Sequence, residues 1–271
     1  MNVVEAMPSG DVLAFKLGFG PIGPPLMCVH FFLVDDIVID TGQHHMQRAV
    51  LGLLDGHPVS SILLTHHHED HSGNAAAIAE AHRATVFGHE ITAEKMRRRF
   101  PIKPYQRWVW GLSAPTDVAP LPPEIESAHC TLLPIHCPGH SRDHVAYLEP
   151  DRGWLFSGDL YLGERIKFFR TDEIFGDQIT SLKTVLTHDF DALFCAHNPS
   201  PAGGKTKLRQ KLQFLEDFHG RVQQLKTAGH SVPAVIREFD HKRDRLVKWI
   251  TLGNASFANM VRSAYNSQDP L

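Results

Sequence analysis

The stretch "SILLTHHHEDHSG", residues 61–73, decides how this chain is read, because an apolar run ends in four histidines and two acids. Residues 62–65 read as a buried strand. Side chains two apart on an extended chain point the same way, so His66 and His68 face one side and His67 the other. The chain must then turn into a helix near Gly73, which leaves Asp70 and His71 on the connecting loop. This density of imidazole and carboxylate suits a divalent cation, which three or four such ligands hold. One stretch rarely supplies a whole set, so further ligands are expected at the ends of other strands.

Short apolar runs punctuated by Gly, Pro and Asp provide those ends: 29–34, 37–40, 85–88, 131–136, 145–148, 154–157 and 192–196 all read as strands. Helices are expected over 73–82 and 179–188. Strands and helices interleaved in this way imply an α/β layered domain. Segment 89–128 interrupts the pattern, first basic, then aromatic, then proline-rich, and reads as a lid-like insertion. Tyr105, Trp108 and Trp110 within it are candidate walls of a substrate pocket. From Lys205 the spacing of Leu208, Leu212, Leu215, Phe218, Val222 and Leu225 is helical up to Gly229, with shorter helices expected after Ser231 and over 256–264. The organisation is thus a main layered domain over 1–204 and a small helical extension over 205–271.

Composition sets the broad class. With 271 residues, 42% hydrophobic and 21% charged, the chain reads as an ordinary soluble protein able to bury a large core. Its first residues carry no basic stretch followed by an apolar one, and no apolar run is long enough to span a bilayer, so a cytoplasmic protein without a membrane partner is expected. Cys28, Cys130, Cys137 and Cys195 are widely spaced and read as reduced thiols. The net charge of −3 divides unevenly: residues 205–271 hold 12 Lys/Arg against 6 Asp/Glu. That excess reads either as a solvated helical surface or as a rim attracting an anionic substrate.

Three places match the demand for further ligands. "CPGHS" puts His140 just past one strand, "FSGDLY" puts Asp159 past another, and "FCAHN" puts His197 past a third. Each alone is an ordinary turn residue; together with residues 66–71 they form a constellation that composition does not account for.

HxHxDH at 66–71 followed in order by His140, Asp159 and His197 resembles the metallo-β-lactamase superfamily, over about residues 12–200. "IDTG", which includes Asp40, Thr41 and Gly42, resembles the first motif of that family. The resemblance implies a four-layer αββα sandwich with its metals at one edge between two sheets. Carried over by position, it implies one metal on His66, His68 and His140, a second on Asp70, His71 and His197, and Asp159 bridging the two. A hydroxide shared by two cations would be the nucleophile, with Asp70 and Asp159 as the carboxylates of the reacting centre. Two divalent ions are therefore expected, zinc first, with iron or manganese suiting the same ligands. Asp40 and His144 are candidates for orienting ligands from behind. His67, His89 and His136 read as packing or surface residues, and replacing His67 is expected to leave the site largely intact.

The resemblance narrows the activity only partly. The commonest true β-lactamases carry Cys at the position of Asp159, and flavo-diiron relatives carry Glu at that of His68. The present set is similar to glyoxalase II, the lactonases and the processing ribonucleases, and the tail resembles the helical extension of β-lactamase-like hydrolases. Hydrolysis of a small ester, thioester or lactone is expected, with Tyr161 and Lys167 as candidate substrate contacts. A phosphodiesterase or endoribonuclease is the first alternative, disfavoured because the overall charge is negative and no long basic tract is present. A mononuclear iron enzyme similar to the persulfide dioxygenases, using His66, His140 and Asp159, is the second. The sequence carries no reading of oligomeric state.

Overall fold

The apolar runs form two facing sheets in the computed structural model, which describes residues 1–239 and 244–268. The remaining positions of the expected extension, 240–243 and 269–271, lie outside the described residues. The first sheet orders β1 (Val3–Ser9), β2 (Val12–Gly18), β3 (Val29–Val34), β4 (Ile37–Ile39), β5 (Ser61–Leu63), β6 (Thr85–Gly88) and β7 (Ala119–Pro120) side by side. It is antiparallel from β1 to β4 and parallel from β4 to β7. The second contains β8 (Ile125–Glu126), β9 (Thr131–His136), β10 (Val145–Glu149), β11 (Trp154–Gly158) and, after the short β12 (Phe169–Arg170), β13 (Ala192–Cys195), which runs parallel to β11 at its edge. A last strand, β14 (Ala255–Ser256), pairs with β12.

Alternation along each strand explains why four layers form. In β3, Val29, Phe31 and Leu33 face a core shared with α1 (Gln47–Leu54) and α3 (Ala75–His82), whereas Phe32 and Val34 face the opposite sheet. In β10, Val145 and Tyr147 meet them from the other side, while Ala146 and Leu148 point outward to α6 (Phe175–Leu186), α7 (Gly204–Thr227) and α10 (Phe257–Asn266). Strands apolar on both faces must be covered on both faces, which is the αββα sandwich. The helices after residue 204 are part of this cover: Leu208, Leu215, Phe218, Val222 and Met260 share one core with β10, β11 and β13.

Several boundaries differ from the sequence expectation. Neither β1 nor β2 is among the strands expected from the sequence: β2 is a mostly buried apolar run, whereas most of β1 is exposed, it contains Pro8, and pairing to β2 along all seven residues holds it. α6 begins at Phe175 rather than 179. The insertion at 89–128 is not irregular throughout. It contains α4 (Glu90–Met96), α5 (Pro104–Val109), β7 and β8, each too short to show a period, although Pro104 in the first turn of α5 is a start signal.

One edge of the sandwich is stitched together by bonds between the sheets. The Val145 N–H donates to the Thr65 carbonyl at 2.8 Å, the Tyr147 hydroxyl to the Leu64 carbonyl at 2.7 Å, and the His30 N–H to the Ala196 carbonyl at 2.6 Å. The carboxyl ends of the parallel pairs β4/β5 and β11/β13 therefore meet at that edge, where ligands collect in open α/β sheets.

Candidate metal centre

Each donor residue sits just beyond a strand end, held by a local device. Asp40 follows β4 with a left-handed backbone, φ 59°, a conformation that non-glycine residues adopt only under compulsion. Its Oδ1 accepts from the Thr65 N–H at 2.9 Å and its Oδ2 from His71 Nδ1–H at 2.7 Å. Because β5 ends at Leu63, His66 and His68 project from a loop and not from the strand itself. His68 caps α2 (Glu69–Ser72), so Asp70 and His71 lie in a helical turn instead of the loop expected from the sequence. Asp159 enters after Gly158, φ 47°, where a Cβ would lie 2.7 Å from His144 Nε2 and 2.8 Å from Thr65 Cβ. Only a glycine lets the chain pass there.

Two donor groups result. His66 Nε2 lies 2.7 Å from His68 Nδ1, and His140 Nε2 lies 3.1 Å from that same nitrogen. In the second group His197 Nε2 lies 3.4 Å from Asp70 Oδ2, and His71 Nε2 lies 3.8 Å from it. Asp159 stands between them: Oδ2 is 3.3 Å from His140 Nε2, and Oδ1 is 3.4 Å from both His71 Nε2 and His197 Nε2. The structure thus brings together all seven residues read from the sequence. Their chemistry fits a pair of divalent cations. His71 Nε2 and Asp159 Oδ1 are buried without a hydrogen-bond partner, a cost that a cation between them removes.

The far sides of the rings are anchored. His66 Nδ1 is 3.1 Å from Thr65 Oγ1, which itself donates to Asp40, and His197 Nδ1–H donates to the Cys28 carbonyl at 2.9 Å. His140 Nδ1 is 3.6 Å from Glu173 Oε1. The Asp159 N–H donates to His144 Nε2 at 3.0 Å, so His144 places Asp159 through its backbone.

The electrostatics divide the site. Burial pushes the imidazoles of His66 and His68 well below their usual range, aided by neighbouring His71 and Arg170 respectively, so both are neutral donors. Burial also disfavours charge on His71 and His197, but Asp40, Asp159 and Asp70 outweigh it at His71, raising it well above its usual range, and Asp159 and Asp70 outweigh it at His197, raising it to about 10. The Asp159 carboxyl, pushed up by burial, is held well below its ordinary range by His197 and His71. Protons thus occupy the second group wherever cations do not.

Not every candidate faces this centre. A cavity of about 370 Å3 opens onto both groups and is lined by Tyr105 and Trp110, but not by Trp108, Tyr161 or Lys167. Trp108 is on the outer side of α5, exposed. Tyr161 is buried and donates to Glu164 at 2.7 Å, because the chain after Asp159 turns its ring into the core under β11; Lys167 points to solvent. The cations in the cavity are instead Arg170, whose Nη1 lies 3.4 Å from His68 Nδ1, and Lys211 of α7. Lys211 is buried and donates to the Leu160 carbonyl at 2.6 Å, with its amine pushed down to about 8 by burial.

His67 also departs from the expectation of a packing or surface residue. Its N–H and Nδ1–H both donate to Asp143, at 3.0 and 2.9 Å, and Lys95 donates to its Nε2 at 2.9 Å. A buried clasp thereby ties the loop of His66–His68 to that of His140–His144. Asp143, Thr65, Glu173 and Arg170 escape the sequence reading; for Asp143 the adjacent His144 was the available signal. Glu69, which lies outside both donor groups, accepts from Gln106 at 3.0 Å.

Comparison with known proteins agrees with this geometry. The model of the "Metallo-beta-lactamase superfamily" matches residues 31–197. The chain is 30% identical over 129 residues to a hydroxyacylglutathione hydrolase of Shewanella loihica, covering 44% of this chain and 43% of the relative. It is 29% identical over 194 residues to the "Beta-lactamase-like protein 2 homolog" of Drosophila melanogaster, covering 67% of this chain and 62% of the relative. The chain therefore spans less than two thirds of the length of either relative. A beta-lactamase domain protein of Burkholderia ambifaria shares the fold with a TM-score of 0.69 at 17% identity, over 96% of this chain and 87% of that one. From the strand ends that gather two donor groups to the family model that spans them, the chain belongs to the metallo-beta-lactamase superfamily.

Proposed function

We propose that this chain is a two-metal hydrolase of a small ester, thioester or lactone, with thioesters the leading class. The observation that carries the reading is Asp159, whose two carboxylate oxygens face different donor groups at 3.3 and 3.4 Å. His66, His68 and His140 would hold one cation, and Asp70, His71 and His197 the other. Bound there, two divalent ions supply a water of lowered pKa and polarise a carbonyl oxygen. Asp40, Thr65 and Glu173 hold the donor rings in orientation, and His144 holds the backbone of Asp159. Arg170 places a fixed positive charge in the cavity beside His68, where charge develops on the substrate. In the net reaction water adds across the acyl C–S or C–O bond, which breaks to give a carboxylic acid and a thiol or alcohol.

The complete second donor group favours two metals over a mononuclear iron centre built on His66, His140 and Asp159 alone. The name of the Shewanella loihica relative favours thioesters. Elemental analysis and a panel of thioesters, lactones, phosphodiesters and RNA test the reading together. The wild type is expected to bind about two ions per chain and to cleave a thioester or ester. Asp159→Ala is expected to lose metal and turnover together. A single ferrous ion with oxygen uptake, or turnover retained without Asp159, refutes it.

A further inference from the structure

The cavity divides by polarity along its depth. Its metal end carries the donor residues, Arg170 and Lys211, and most polar side chains there are already engaged: Tyr105 accepts from Asn254, Gln106 donates to Glu69, and Lys211 donates to Leu160. Away from that end the walls are apolar and come from four separate segments. Met27 lies ahead of β3, Val109 ends α5, Phe168 precedes β12, and Val247 and Ile250 belong to α9 (Arg245–Ile250). The apolar surface continues outward to the rim, which Met27, itself 45% exposed, reaches together with Leu26, Leu162 and Leu246, which are 61%, 38% and 68% exposed. Leucines this exposed, grouped around one opening, mark a binding surface rather than ordinary scatter.

The outside of the same wall has the opposite character. Arg97, Arg98, Arg99, Lys103 and Arg107 of the insertion are all exposed, while Tyr105, Gln106 and Val109 of α5 turn inward. An apolar interior behind a cationic exterior sorts a substrate with two unlike halves. Its hydrocarbon part fits between the apolar walls, and an anionic carrier is drawn by the cationic outer face.

We propose that the cavity is an acyl-chain pocket, in which an unbranched hydrocarbon chain attached to the scissile carbonyl lies against Met27, Val109 and Phe168, with α9 as the wall that sets the accepted length. This rests on the hydrolase reading given above and adds the class of acyl group. A short polar acyl group would leave the apolar wall wet and gain nothing from it; each methylene buried there adds to binding.

The test uses thioesters of one thiol, N-acetylcysteamine, with acyl groups from acetyl to dodecanoyl, on the metal-loaded protein. kcat/KM is expected to rise up to about fourfold per methylene, the ratio that about 0.8 kcal/mol per buried CH2 gives, and then to level off where the pocket is filled. Val247→Phe, which narrows the pocket, should move the levelling point to shorter chains. Val247→Asp should lower kcat/KM for the longest chain about tenfold more than for acetyl. Calorimetry with straight-chain fatty acids provides a reading that needs no turnover: affinity should tighten with chain length and weaken in Val247→Asp. Hydrolysis with a flat chain-length profile overturns the acyl pocket and leaves the hydrolase reading standing. Fatty-acid affinity that climbs with length while no thioester or ester is cleaved keeps the pocket and removes the hydrolase reading. A preference that follows the length of the thiol instead of the acyl chain also overturns the assignment.

Discussion

At the scale of single residues, the centre is a set of carboxylates and imidazoles whose charges balance only when something positive lies between them. With no cation that role falls to protons on His71 and His197, two rings that Asp70 and Asp159 raise above their usual range, with Asp40 acting on His71. A metal ligand must give up its proton, so binding and proton release are coupled. Titrating the metal-free protein with zinc at pH 8 in weak buffer is expected to release about two protons per chain, read with a pH indicator. In His71→Ala the yield should fall by about one, and release unchanged by that substitution would refute the charge assignment. The seven donors were legible because each stands in a short motif after an apolar run, and chemistry restricts which residue types occupy such places. Asp143, Glu173 and Lys211 were not legible, since each acquires its role from a partner distant in sequence: Asp143 from His67, Glu173 from His140, and Lys211 from Leu160. A buried lysine in particular looks, in a sequence, like any cation on a solvated helix face.

At the scale of elements, α7 shows how a helix reaches into the centre from the outer layer. Its apolar stripe covers β13 and α6, and from that buried face Lys211 extends to the Leu160 carbonyl, next to Asp159. The helix was read correctly from the three-and-four spacing of its leucines, but periodicity says nothing about a polar residue buried on the same side. The consequence is a pH dependence of stability. Burial lowers the amine from 10.5 to about 8 in the folded state. Below the folded value both states hold the proton and this group adds no slope. Between the folded and unfolded values the unfolded chain binds more protons, so stability rises with pH, by about 3 kcal/mol in all. Urea unfolding at about pH 7 and pH 10 should show wild-type stability gaining about 2 to 3 kcal/mol relative to Lys211→Met, in which the titrating amine is absent. A constant difference between the two proteins at both pH values would mean that the amine titrates normally. The short elements α4 and α5 escaped the sequence reading for a different reason: helices of six or seven residues span too few turns to display a period, and they form because the tertiary structure holds them.

At the scale of the whole molecule, the sandwich has three apolar interfaces, and the third depends on residues after 204. The two sheets close on each other through Phe32, Phe156 and Phe194, and the first sheet is covered by α1 and α3, all within residues 1–204. The outer face of the second sheet has only α6 from that part of the chain; the rest of its cover is α7, α8 (Val232–Glu238) and α10. The alternation in β10, β11 and β13 announced that this face would be covered, and the leucine spacing after 205 announced a helix, but only the structure joins the two. A chain ending at residue 204 would expose the surface against which Leu208, Leu215, Phe218, Val222 and Leu225 are buried. At roughly 1.5–3 kcal/mol for each such side chain, the loss is on the order of 10 kcal/mol, comparable to the whole stability of a typical domain. The truncated protein is therefore expected to lose its near-ultraviolet circular dichroism, to bind the dye ANS, and to retain no tight metal, because β13 leads into His197 and β11 leads into Asp159. A truncated chain with a cooperative thermal transition and full metal content would show instead that the extension is a separable module and that the second sheet is stable with one face open.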